Sequence, residues 1–160
     1  MKNHPLKKHD FVKAVITLAF LSVIILAVSA YFVYDHTWIG PAFLGLTVLS
    51  VIVLKAFGIE LKSVYPDIFF GIIDNGILVF AAIIGGNMAG IQGAVIGGAA
   101  GNTITDAIGG LIEGKISQKL RRNNIQEKRQ PMSTMLGKLI GCLFGAALGF
   151  MVIWAFEFLF

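Results

Sequence analysis

The sequence predicts an all-α polytopic membrane bundle, on three observations. Hydrophobic residues make up 56% of the 160 positions and charged residues only 14%, against about 25% charged in an ordinary soluble domain. Uncharged apolar runs of roughly bilayer-crossing length recur along the chain. Nineteen glycines are present, many at four-residue spacing, the pattern of close helix packing in lipid. A mean hydropathy of +0.81 leaves too little polar surface for a water-facing protein of this size and excludes a disordered chain. The single cysteine, Cys142, excludes an internal disulfide and a CxxC metal site.

Five spans are predicted, in one membrane domain covering residues 1–160. The first, 14–34, is free of charge. Its basic start and Val28-Ser29-Ala30 have the outline of a secretory signal, but the apolar run exceeds a typical signal core and reads as a true span. The second, 37–54, has Trp38 as an interfacial anchor and Pro41 in its first turn. The third, 68–84, is interrupted by Asp74 and Asn75 and ends on the turn chemistry of Gly85-Gly86-Asn87. The fourth, 88–112, is interrupted by Asn102 and Asp106. The fifth is 139–156, after a basic loop over 113–138.

The charges orient these spans. All thirteen Lys and Arg fall before span 1, between spans 2 and 3, or between spans 4 and 5. The other loops hold only Asp35 and His36. The positive-inside rule then predicts an N-in, C-out chain, expected in a bacterial cytoplasmic membrane. The basic segment between spans 4 and 5 is expected to set topology and to touch anionic headgroups. No nucleic-acid motif accompanies it, so no nucleic-acid partner is expected.

The glycines predict where helices meet. Gly137, Gly141, Gly145 and Gly149 share one face of span 5, and Gly86, Gly90, Gly93, Gly97 and Gly101 one face of span 4. The expectation is a glycine zipper between spans 4 and 5, within one chain or as the seam of a homo-oligomer, a dimer favoured.

Carboxylates inside spans cost roughly 2.5–3.5 kcal/mol each on insertion scales, so they are functional candidates. The local pattern repeats. Asp67-Ile-Phe-Phe-Gly71-Ile-Ile-Asp74 and Asp106-Ala-Ile-Gly-Gly110-Leu-Ile-Glu113 both read acid, three residues, Gly, two residues, acid. Acids seven apart share a helix face, about 10 Å apart along the axis. On antiparallel helices the two copies form an inverted repeat, with Asp74 level with Asp106 and Asp67 level with Glu113. Asn75, Asn102 and Thr105 add amide and hydroxyl oxygens nearby. No Lys or Arg falls within the five spans, so the acids must be protonated, share protons or bind a cation. The donors are all hard oxygens, which suit Mg²⁺, Mn²⁺, Fe²⁺, Ca²⁺, Na⁺ or H⁺ and disfavour copper, zinc and haem. His4, His9 and His36 lie outside the spans.

These observations predict a non-enzymatic transporter or channel for a hard, divalent metal cation. Asp74 and Asp106 are the central ligands, Asn75, Asn102 and Thr105 secondary donors, and Asp67 and Glu113 a cytoplasmic vestibule. The cation is substrate, and no cofactor is expected. The alternative is a structural or accessory membrane protein assembling through its glycine faces. A membrane enzyme is disfavoured: the chain has no GxGD or DGxxAR motif and no Ser-His or Cys-His pair within a span.

Overall fold

A computed structural model describes residues 8–34, 36–122 and 130–159. Among them the regular structure is entirely helical: α1 (Lys8–Phe32), α2 (His36–Ala56), a 3-10 turn (Leu61–Val64), α3 (Tyr65–Arg122) and α4 (Pro131–Leu159). All four α-helices carry a stretch long and apolar enough to cross a membrane. The chain is thus a helical protein consistent with membrane integration. Large side chains on the outside of α1, such as Phe20, Val23 and Leu26, are mostly exposed, and water would make that surface prohibitive.

α2 begins at His36, so Pro41 lies in its second turn rather than its first. Further along, Thr47 and Ser50 donate to the carbonyls of Phe43 (2.9 Å) and Leu46 (2.8 Å), which satisfies both buried hydroxyls inside an apolar helix. Gly58 ends the helix in a left-handed conformation (φ +69°). Its N–H meets the Lys55 carbonyl at 2.9 Å and that of Ile59 meets Leu54 at 3.2 Å, a Schellman closure. Ile59 packs into the same cluster as Leu54.

α3 is 58 residues long but not one rod. Its backbone leaves helical geometry at Ala89 (φ −144°, ψ 26°) and Gly90 (φ 59°, ψ −142°). Gly90 holds a conformation essentially reserved for glycine. On either side the two limbs, 65–88 and 91–122, lie against each other. The Gly85 backbone meets Gly93, Ala81 meets Gly97, Ile77 meets Gly101, and Phe70 covers Gly109. These pairs are centred on Ala89, so α3 is an antiparallel hairpin. The turn therefore falls at Ala89-Gly90, not at Gly85-Gly86-Asn87. Gly85 is needed within the limb, where the Gly93 backbone comes too close for a side chain, while a Cβ on Gly86 would only touch Ala94 at 3.5 Å.

α4 packs against α1, α2 and α3, whereas neither α1 nor α2 contacts α3 among the described residues. Half of its apolar window is buried, against 11% for α1. Its glycines explain the close approach. A Cβ on Gly137 would meet Asp67 and Val64 at 2.9 Å; on Gly141 it would strike the Ile68 backbone; on Gly145, that of Ile72; on Gly149, Val79 at 2.9 Å. The four glycines thus face residues 64–79, the first limb, and not the 88–112 segment expected to pair with them. The glycines of that segment are taken up by the hairpin itself.

The core joins Ala14 and Leu21 of α1, Leu54 of α2, Val64, and Met132, Leu136 and Ile140 of α4. It collects the start of α1, the end of α2, and the starts of α3 and α4 at one end of the bundle. Lys13, Lys55 and Lys62 belong to this end. The segment expected to be a basic loop over 113–138 is largely helical: α3 continues to Arg122 and α4 starts at Pro131. Proline suits a first helical position. Ser133 Oγ donates to the Gln130 carbonyl at 2.9 Å and steadies that start.

Candidate functional site

The first limb of α3 places Asp67 in its first turn and Asp74 two turns later. The second limb returns past them in the opposite direction. Thr105, 1% exposed, donates its hydroxyl to Asp74 Oδ1 across the hairpin. The same hydroxyl lies 3.1 Å from the Gly101 carbonyl and 3.0 Å from that of Asn102. A hydroxyl has one proton and two lone pairs. With Asp74 ionised it donates to the carboxylate. With Asp74 protonated it accepts from the acid and donates to Gly101. Either charge state of Asp74 leaves the pair satisfied.

Asp106 is level with Asp74, yet it does not face it. Successive helical residues point about 100° apart, and Thr105 takes the inward position. Asp106 is exposed on the outer side of the second limb, where its Oδ2 accepts from Asn102 Nδ2 at 3.0 Å. The expected pair of facing carboxylates is thus two separate units at one height: Asp74 with Thr105 inside the hairpin, and Asp106 with Asn102 outside. Asn75 is half-buried on the first limb, turned away from Asp74 by one helical step. The side chain of Glu113 lies outside the described residues, as do Asp35 and the side chains of His4, His9 and His36.

Asp67 is 6% exposed, lies against Gly137, and lines a cavity of about 260 Å³ between the limbs. Thr105, Phe70, Ile73, Ile108 and Gly109 line the rest of its interior. Apart from Asp67 and the Thr105 hydroxyl the lining is almost wholly apolar. The cavity therefore runs from the end of the bundle where α3 begins to the hydroxyl that holds Asp74.

Sequence patterning missed one charge. Lys138, assigned to a loop, lies two turns inside α4, so a lysine does reach the interior. Its Nζ sits 5.1 Å from the centre of the Phe70 ring, a cation–π contact. Phe70 lies between Asp67 and Asp74 on the first limb. Cys142 lies one turn further along α4, beside the first limb. Gly71 permits this approach: a Cβ there would stand 2.7 Å from the Cys142 nitrogen and 2.8 Å from the Lys138 carbonyl. The available signal was Pro131 after a polar stretch, which marks a helix start seven residues before Lys138.

Among the described residues no three His, Cys, Asp or Glu side chains converge to hold a metal ion. Comparison with protein-family models, curated proteins and solved structures finds no match.

Proposed function

We propose that this chain is a non-enzymatic membrane transporter or channel subunit for a hard cation, a divalent metal ion in the first instance. One observation carries the proposal. Asp74–Thr105 and Asp106–Asn102 lie at a single height within the long apolar stretch of an antiparallel hairpin. Carboxylates in hydrocarbon are expensive and are kept where an ion or proton must be handled. The cavity below Thr105 supplies a way in, with Asp67 at its lining. Mg²⁺, Mn²⁺, Fe²⁺ and Ca²⁺ fit such oxygen donors.

The proposal takes the hairpin as two crossings. The apolar stretch Leu61–Ile112 has 52 residues, about 78 Å at 1.5 Å per residue, against a hydrocarbon core of about 30 Å. With α1, α2 and α4 this makes five crossings, N-in and C-out, in a bacterial cytoplasmic membrane. A second reading is a structural or accessory protein that assembles as a homo-oligomer through glycine zippers. Gly141 and Gly145 are engaged within one chain, against the Ile68 and Ile72 backbones, so this reading needs another face for assembly.

Flux separates the two. Proteoliposomes holding the purified chain are expected to take up Mn²⁺, and Asp74→Asn and Asp106→Asn to lower uptake at least about tenfold. Uptake by both variants equal to that of the unsubstituted chain overturns the transport proposal, as does the absence of uptake by the unsubstituted chain.

A further inference from the structure

The cavity between the limbs of α3 has the make-up of a small-molecule pocket. Its volume of about 260 Å³ falls just under the roughly 300–1,000 Å³ usual for such pockets, and like them it is apolar with a few placed polar groups. Two polar side chains line it, and both are almost fully buried: Asp67 at 6% exposure and Thr105 at 1%. Thr105 holds Asp74, seven residues beyond Asp67, so the two polar ends of the cavity stand about 10 Å apart along the hairpin. The wall around Asp67 is aromatic, made by Tyr65, Phe69 and Phe70. The Tyr65 and Phe69 rings lie nearly parallel, with 20° between their planes and 6.3 Å between their centres. Phe70 is seated on Gly109, where any side chain would strike its ring.

We propose that this cavity binds a small lipophilic ammonium, an amine or quaternary ammonium with one apolar body, its charge at Asp67 among the three rings and its body along the apolar stretch toward Thr105. The chemistry of the lining selects this ligand. Among the described lining residues there is one carboxyl and no Lys or Arg, so a cation is complementary and an anion is not. A divalent metal ion resting here would find one carboxylate and one hydroxyl, far short of the about six oxygens it takes. An ammonium needs no such shell, because ring faces attract it as well as the carboxylate does. Phe70 already takes one such contact, from Lys138 on α4 at 5.1 Å, and Lys138 is not among the lining residues.

The place of the cavity agrees with its chemistry. Its exposed lining residues, Tyr65, Phe69 and Ile112, stand at the end of the bundle where Lys13, Lys55 and Lys62 gather. The positive-inside rule puts that end at the cytoplasmic headgroups, whose negative charge concentrates amphiphilic cations. A lipid acyl chain, the neutral rival for an apolar groove, matches the rings and the isoleucines but leaves the carboxyl of Asp67 facing hydrocarbon. The site stands apart from the transport reading, since it needs no metal ion at Asp74 or Asp106.

The test uses the full chain in phosphatidylcholine nanodiscs and radiolabelled benzyltrimethylammonium, read by equilibrium dialysis against nanodiscs without protein. Saturable binding to the chain is expected. Neopentylbenzene has the same shape with carbon in place of the charged nitrogen. At equal concentration in the lipid it is expected to compete at least about tenfold more weakly than the unlabelled cation. Asp67→Asn, which keeps the size and removes the charge, is expected to weaken binding by about tenfold or more. Ile108→Phe, which fills the cavity from an exposed lining position, is expected to do the same. No saturable binding overturns the inference. Equal competition by neopentylbenzene overturns it and gives the groove to lipid chains. Unchanged affinity in Asp67→Asn or in Ile108→Phe overturns it by placing the bound cation elsewhere. The competition series needs only the unsubstituted chain, so it decides the matter even where a variant fails to fold. Flux is not read, and none of these outcomes bears on Mn²⁺ uptake.

Discussion

Thr105 and Asp74 are 31 residues apart and share a hydrogen bond across the α3 hairpin. The contact fixes the register of the limbs more sharply than the glycines do. Glycine pairs such as Gly85–Gly93 and Ala81–Gly97 would tolerate a slip of one turn, since small residues follow one another along both limbs. A slip would strand the carboxylate in an apolar wall. Thr105→Val, which keeps shape and removes the hydroxyl, is therefore expected to lower stability by about 1 kcal/mol. Thr105→Ser should restore most of it. Thermal unfolding in detergent checks both, and an unchanged melting temperature for Thr105→Val would mean that the bond contributes nothing.

Gly90 carries the hairpin turn. Its φ of 59° with ψ of −142° is closed to residues with a Cβ. Gly90→Ala is expected to cost roughly 1–3 kcal/mol although nothing lies within 4 Å of the added methyl. The cost is conformational, not steric. Ala89→Gly, at a neighbouring position with negative φ, should cost less. Comparing the two melting temperatures separates turn strain from packing.

The glycine face of α4 predicts a graded series. Gly145→Leu must push the Ile72 backbone away and should cost at least about 2 kcal/mol. Gly45→Ala on α2 meets nothing within 4 Å and should leave stability equal or raise it by up to about 1 kcal/mol. Unfolding of both variants in one detergent provides the check.

Lys138 and Phe70 are expected to couple. A double-mutant cycle with Lys138→Met and Phe70→Leu should give an interaction energy of about 0.5–2 kcal/mol. An additive result would show that the ring and the ammonium do not interact in lipid.

Apolar length was legible in the sequence: the expected spans 37–54 and 139–156 fall within α2 and α4, and 14–34 falls within α1 except for its last two residues. The level of Asp74 with the 105–106 step was expected from the acid repeat, but it is the turn at Ala89-Gly90 that sets it; a turn at Gly85-Gly86-Asn87 would have placed Asp74 opposite residue 98. Direction around the helix was less secure. A 100° step separates Thr105 from Asp106, and assigning the 86–101 glycine face to span 5 left the side bearing Asp106 to face span 3, whereas those glycines face the first limb and Asp106 points away from it. Gly85-Gly86 has turn composition, but Gly85 is required where the backbones touch, and composition cannot separate the two uses. Lys138 was misplaced for a similar reason. Its charge argued for a loop, while Phe70 and the long aliphatic stem of lysine let it stay within the helix.

The helix that all the others lean on is synthesised after them. Until Pro131–Leu159 emerges, the first limb holds Gly71 and Gly76 with no α4 backbone against them, and Leu21 and Leu54 lack Leu136 and Ile140. The α3 hairpin can close beforehand, since its pairs are local to Ala89. The expected order of assembly is the hairpin first and then docking of α4, with α1 and α2 touching only each other and the 3-10 turn in between. A chain truncated before residue 131 is expected to leave Gly71, Gly76, Leu21 and Leu54 uncovered by α4.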